Sequence, residues 1–275
     1  MAAACHRPRD GRIGLSQALL LPTMLNRVIA AAGTLCMAAA LVTLWVARLS
    51  VPYDLYVSEL GAVGMPTAHA FQIVLLLIVV GGALIAVAGR GIRSRARILR
   101  SWTPSVSLAV ASGFFLVDSQ ITCTAGCPLP VGATFTLQDF VHTLAAVLAF
   151  AAASWAILQC AFAVGHPALA RLSLVAAIAV AAISAAGGLM SLFHFEAVIG
   201  SRFELVATTI GLGWVVVFGV SLAASAPHGI QKLVGQPDQA VDLVVVPLDP
   251  PALGLRADRH EGVVLLPDDE GAVGA

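Results

Sequence analysis

Two cysteines, Cys123 and Cys127, lie four residues apart in DSQITCTAGCPLP, a polar stretch between two long apolar runs. Such a pair can form a disulfide or supply two thiolates to a metal ion. Gly126 and Pro128 break helical structure here, so the two sulfur atoms can turn toward each other. We predict a Cys123–Cys127 disulfide, with a thiolate metal site as the alternative.

Carboxylate, imidazole and hydroxyl groups occur at places that suggest a second kind of chemistry. Two histidines and a carboxylate can hold zinc and leave a coordination position for a hydrolytic water. In this interpretation Asp139, His142 and His194 are the metal ligands, and Ser58 or Glu59 lies near the reacting centre. Asp139 and His142 are three residues apart at a helix start, so they share a face.

The same polar groups are also typical of a membrane interface. There they can pair with one another or with arginines, and Asp139 can cap a helix. A third interpretation is a binding cavity for a lipid headgroup or a small solute. We name the whole set the outer-face cluster; its members are Asp118, Asp139, His142, His194, Glu196 and Arg202. The spacing alone selects none of the three, and no His-Glu-x-x-His, Gly-x-Ser-x-Gly or Ser-x-x-Lys motif is present.

The elements that must position these groups are membrane helices. The mean hydropathy is +0.93 and only 11% of the residues are charged, against about a quarter in soluble domains. Apolar runs long enough to cross a bilayer predict an all-α polytopic membrane protein, a bundle of six transmembrane helices. The runs are 28–47, 69–88, 105–122, 140–163, 172–193 and 204–225.

Charge sorting predicts the orientation of these helices. With both termini in the cytoplasm, thirteen of the fifteen basic residues lie inside, and only Arg48 and Arg202 lie outside. Basic residues near span ends mark the cytoplasmic side. The cysteine pair then lies in an outer loop, where disulfides persist. We therefore expect a multi-pass protein of the bacterial inner membrane.

The chain divides into three parts by composition. Residues 1–27 form a cytoplasmic N-terminal segment, which we expect to be disordered, and residues 28–225 form the transmembrane domain. Residues 226–275 form an acidic, proline-containing cytoplasmic tail. The tail is expected to be mostly disordered. As the alternative, its short valine runs could add a strand to a protein partner.

A family resemblance adds to this interpretation. The motif YVSELGAVGMP after the first span, a loop with cysteine and proline, and Asp-x-x-His at the fourth span resemble a bacterial family catalogued as domain of unknown function 998. The resemblance covers roughly residues 28–225 and implies a six-helix integral membrane protein with no established activity. A more distant similarity to membrane hydrolases that include alkaline ceramidases implies Ser, Asp and His around zinc. This sequence differs from those hydrolases in having six spans and no histidine pair in the last one.

Three functions are consistent with these observations. The first is an integral membrane protein of unassigned role that binds a lipid or small ligand at its outer face, or serves as a structural or accessory subunit. The second is a zinc-dependent membrane hydrolase of lipid-like substrates, and the third is a small-solute transporter. Membrane lipid is the expected partner, and the first function requires no cofactor. With no basic, aromatic-interleaved patch and no Gly-rich loop ending in Lys-Ser or Lys-Thr, we expect neither nucleic-acid binding nor ATP hydrolysis by a phosphate-binding loop.

Overall fold

The structure, a computed structural model, describes residues 11–128, 132, 135–192 and 197–224. In these ranges it contains six α-helices and no β-strand, so the predicted all-α class is confirmed. The helices are α1 (Gly11–Leu49), α2 (Ala68–Ala88), α3 (Pro104–Gln120), α4 (Leu137–Cys160), α5 (Pro167–Leu192) and α6 (Ala197–Ala224).

Most of these helices are membrane spans by length and composition. Every backbone polar group needs an internal partner in hydrocarbon, so long apolar runs become helices. Five of the described helices are long and apolar enough to cross a membrane. Helix α3 has only 17 residues, fewer than the about 20 that a perpendicular crossing needs. The structure thus supports five spans directly, whereas the prediction was six.

The first helix begins earlier than the first apolar run. Helix α1 starts at Gly11 and so includes residues 11–27, which precede the first apolar run. The predicted tail at 226–275 lies outside the described residues. His194 and Glu196 of the outer-face cluster also lie outside them.

The helices are arranged in a ring in which each packs against its neighbours in sequence, and α6 returns to pack against α1. Glycines permit the closest approaches. A Cβ added at Gly33 in α1 would lie 2.9 Å from the carbonyl oxygen of Gly81 in α2, and the reverse distance is also 2.9 Å. Neither glycine can be enlarged without moving backbone, because the backbones nearly touch, as is typical of small residues at membrane-helix contacts.

The two ends of the ring differ in chemistry. One end, which we call the cavity end, carries residues 50–67, 121–128 and 135–136. The basic end carries the connections at residues 89–103 and 161–166, with five arginines in the first of them. Backbone hydrogen bonds join the basic-end connections, from the Arg95 N–H to the Phe162 carbonyl (2.9 Å) and from the Val164 N–H to the Arg93 carbonyl (3.0 Å).

Candidate functional site

The Cys123–Cys127 disulfide is present, which confirms the predicted pairing. Gly126 (φ 77°) and Cys127 (φ 44°) occupy the left-handed region and turn the chain back on itself. The Val63 N–H donates to the Cys123 carbonyl at 3.1 Å. The disulfide loop, residues 121–128, is therefore attached by its backbone to the 50–67 connection.

Asp139 fastens the disulfide loop to the start of α4. Its Oδ1 accepts from the Thr124 N–H at 2.8 Å, and its Oδ2 accepts from the hydroxyls of Thr124 (2.9 Å) and Thr136 (2.5 Å). Thr136 is the N-cap of α4 and its hydroxyl also accepts from the Asp139 N–H at 3.0 Å. Asp139 is almost fully buried and does not line the cavity described below. Its carboxylate therefore anchors the disulfide loop and holds the hydroxyl of the N-cap residue Thr136, but it does not itself cap α4 as the sequence suggested.

His142, one turn further along α4, has different partners. Its Nδ1 lies 2.7 Å from Oδ1 of Asp118 in α3 and 2.8 Å from the Ile121 carbonyl oxygen. Because both neighbours are acceptors, Nδ1 carries a proton. Its Nε2 is buried and has no hydrogen-bond partner in the described part of the chain. A buried nitrogen without a partner is costly unless a ligand or water reaches it.

The arginines of the cavity end are already paired at its rim. Arg48 Nη2 lies 2.7 Å from Oδ1 of Asp54, and Arg202 Nη2 lies 3.1 Å from Oδ2 of the same carboxylate. The hydrogen bond from Arg202 holds the pKa of Asp54 below its usual value, and Arg48 adds to this effect against the opposing cost of burial. This contact matches the interfacial interpretation of Arg202.

A cavity of about 940 Å³ opens below the disulfide loop, between α4, α5 and α6. This volume is near the upper end of the range typical of small-molecule sites, about 300–1,000 Å³. Three predicted site residues, Ser58, Glu59 and His142, lie together on its wall, which also includes Tyr56, Gly126, Cys127, Pro128, Thr143, Ala146, Val147, Phe150, Ser184, Gly187, Gly188, Met190, Gly200, Glu204, Ala207 and Thr208.

Two carboxylates on this wall hold the 50–67 connection in place. Oε2 of Glu59 accepts from the Tyr56 N–H at 2.7 Å, and Oε2 of Glu204 accepts from the Val57 N–H at 2.8 Å. Burial raises the pKa of Glu59, and the Tyr56 hydrogen bond opposes that shift. Glu204 is the functional candidate that the sequence interpretation left out of the cluster. The sequence feature that indicates Glu204 is an acidic residue inside an otherwise apolar helix.

Beside the cavity, toward the centre of the ring, lies a smaller apolar chamber of about 90 Å³. Six residues line both spaces, among them the polar residues Ser58, Glu204 and Thr208. Asp118 reaches the chamber, whose remaining wall is mostly aliphatic and aromatic. The combined space is therefore polar at its mouth and apolar in depth.

The sequence profile described as "Protein of unknown function (DUF998)" matches residues 27–221, most of the chain. The chain belongs to the DUF998 family. No curated protein and no solved structure matches this DUF998 protein. The distant similarity to alkaline ceramidases thus finds no support in these comparisons.

The metal-binding capacity of this DUF998 protein is limited among the residues that the structure describes. Cys123, Cys127 and His142 are the one described group of three whose ligand atoms lie within 4.8 Å of one another. The cysteines are joined in a disulfide, so neither offers a thiolate. The Asp139 oxygens already accept three hydrogen bonds. The described residues therefore do not form the three-ligand set of a catalytic zinc.

Proposed function

We propose that this DUF998 protein is a multi-pass membrane protein that binds an amphiphilic, lipid-like molecule in the cavity between α4, α5 and α6. The observation that carries the proposal is the distribution of polar and apolar residues on the cavity wall and on the wall of the adjoining chamber. Ser58, Glu59 and Glu204 supply polar groups at the mouth, whereas Val147 and Phe150 supply apolar surface beside them. An amphiphile matches both surfaces, because its headgroup and its hydrocarbon need different surroundings.

The packing of α4 and α5 supports access from the lipid. These two helices pack less extensively than the other neighbouring pairs of the ring, and both contribute to the cavity wall. A hydrocarbon chain that passes between α4 and α5 enters the bilayer directly, without crossing water. Binding therefore needs no exposed hydrophobic surface on the aqueous side.

The proposal includes an orientation with the cavity at the outer face of the bacterial inner membrane and both termini in the cytoplasm. The five arginines of the 89–103 connection support it, since basic connections remain in the cytoplasm. Reporter fusions at residue 97 and at residue 127 test it. We expect a periplasmic reporter to be active only at residue 127; activity at residue 97 would invert the orientation.

Filling the cavity tests the binding function. Gly188 lines the cavity, and a Cβ added there meets nothing within 4 Å. The Cβ of Gly188→Trp therefore fits, and its indole should occupy space in the cavity. The matched control is Gly213→Trp in α6, where an added Cβ also meets nothing within 4 Å but the residue does not line the cavity.

The measurement is native mass spectrometry of the full-length protein released from lipid nanodiscs. Wild type and Gly213→Trp should retain a bound lipid or added amphiphile, and Gly188→Trp should lose it. Equal retention by the two variants, with normal folding of both, would show that the cavity is not the binding site.

A zinc-dependent hydrolase remains a separate hypothesis. It would use His142, whose buried Nε2 has no partner in the described chain and whose Nδ1 is oriented by Asp118. Such orientation by a carboxylate is usual for metal-ligating histidines. The remaining ligands would have to include His194, outside the described residues. Stoichiometric zinc in purified protein that disappears in His142→Ala would support this hypothesis, and metal-free folded protein would end it.

A further inference from the structure

The charge of the cavity wall restricts what can bind there. Glu59 and Glu204 are the acidic residues of the described wall, and no lysine or arginine lies on it. The two arginines of the cavity end are held by Asp54 at the rim. The sequence of the undescribed residues 129–131, 133–134 and 193–196 contains no lysine or arginine. An anionic headgroup would therefore enter an acidic site with no countercharge on its wall.

Two further groups on the wall are buried without a partner in the described chain. They are Nε2 of His142 and Oγ1 of Thr208, in side chains that are 3% and 6% exposed. Because Nδ1 of His142 faces two acceptors, a neutral ring has its lone pair on Nε2. Because His142 lines the cavity, its neutral ring offers an acceptor on the cavity wall. This observation is independent of the acidic residues and points to a ligand that donates hydrogen bonds.

We propose that the ligand is an amine-bearing amphiphile whose ammonium group is bound by Glu59, Glu204 and Nε2 of His142. This inference rests on the proposed function and specifies its ligand class. A primary ammonium has three N–H donors and no acceptor, so it can satisfy three acceptors at once. Its positive charge also offsets the cost of burying carboxylates, because charge-assisted hydrogen bonds are stronger than neutral ones.

The rest of the molecule is accommodated by the apolar part of the wall. Ala146, Val147 and Phe150 extend from His142 along α4, and Met190 of α5 lines the same cavity. An alkyl chain that starts at the carboxylates therefore lies along α4 toward the bilayer. The inner chamber, at about 90 Å³, has room for only a short segment.

A matched series of twelve-carbon probes tests the ligand class. Dodecylammonium, dodecanol and dodecanoate differ only in the headgroup, and each is added at the same mole fraction to full-length protein. Binding is counted as adducts by native mass spectrometry. We expect dodecylammonium to bind at least about tenfold more tightly than the other two, the factor for a charge-assisted hydrogen bond of about 1.5–3 kcal/mol.

The outcomes separate this inference from the function on which it rests. Equal binding of the three probes, or preference for dodecanoate, would refute the amine inference and leave amphiphile binding intact. Binding of none of them would refute both.

Variants then test the residues. Glu204→Gln and Glu59→Gln keep side-chain size and should each abolish most of the preference for dodecylammonium over dodecanol. Asp54→Asn is the matched control, because this carboxylate is at the rim, pairs with arginines and does not line the cavity. It should keep the full preference. A folded Glu204→Gln variant that also keeps it would overturn the assignment.

Discussion

Removal of the Asp139 carboxylate should destabilise the protein strongly at the cavity end. In Asp139→Ala the Thr124 N–H loses its acceptor, and the hydroxyls of Thr124 and Thr136 lose theirs. A hydrogen bond to a charged acceptor contributes about 1.5–3 kcal/mol, and an unsatisfied buried donor costs a similar amount. The hydroxyls can rotate to other acceptors, whereas the backbone N–H cannot. We therefore expect a loss of about 2–4 kcal/mol in the free energy of unfolding.

The assay is reversible unfolding of the detergent-solubilised protein in increasing mole fractions of sodium dodecyl sulfate, followed by far-ultraviolet circular dichroism. Asp139→Asn is the matched variant: its amide oxygen can still accept from the Thr124 N–H, so the loss should be about 1 kcal/mol. The loss of unfolding free energy caused by Asp139→Ala should be the same with and without a metal chelator. A loss below about 0.5 kcal/mol, the size of an ordinary surface substitution, would refute the anchoring role.

Three other perturbations have defined outcomes. Gly81→Ala should lower the free energy of unfolding by about 1–3 kcal/mol, because the new Cβ would lie 2.9 Å from a carbonyl oxygen of α1. Gly213→Ala, whose new Cβ meets nothing within 4 Å, should leave that free energy unchanged. Both variants are measured by the same unfolding assay. Trp214→Phe removes a 2.9 Å hydrogen bond from the indole N–H to the buried Ser173 hydroxyl and should lower the unfolding free energy by about 1 kcal/mol. The pKa of Asp54 is lowered in the folded state, so its stabilisation is present above its usual pKa of 3.8 and is lost as pH falls through the folded-state value. Acid titration of thermal stability should therefore show a step that is missing in Asp54→Asn.

The positions of most helices could be predicted from the sequence because the bilayer sets their length. Helix α2 spans Ala68–Ala88 against a predicted 69–88, and α3 spans Pro104–Gln120 against 105–122. The start of α1 could not be predicted in this way. Residues 11–27 are too polar to be read as a span, yet adding residues to an existing helix costs little, since nucleation has already occurred.

The candidate site was only partly predictable. The sequence predicts that Ser58, Glu59 and His142 lie at the same end of the helix bundle, and the structure places them on one cavity wall. A shared depth in the membrane does not show which side chains contact each other, however. Asp139 and His142 share a helix face as expected, and both contact the disulfide loop, but only His142 also contacts Asp118 of α3. The sequence predicts Glu204 as the first residue of a span, whereas α6 begins at Ala197, so that Glu204 lies about two turns inside this helix.

The hydrogen bonds between residues 93–95 and 162–164 fix a pivot for the helices that enclose the cavity. Helix α4 has 24 residues and is therefore ~36 Å long at 1.5 Å per residue. Its basic end is fastened, so α4 can tilt away from α5 only by swinging its opposite tip. A tilt of ~5° about that pivot displaces the tip of a ~36 Å rod by ~3 Å. Because Asp139 ties that same tip to the disulfide loop, a tilt of α4 has to carry the disulfide loop with it.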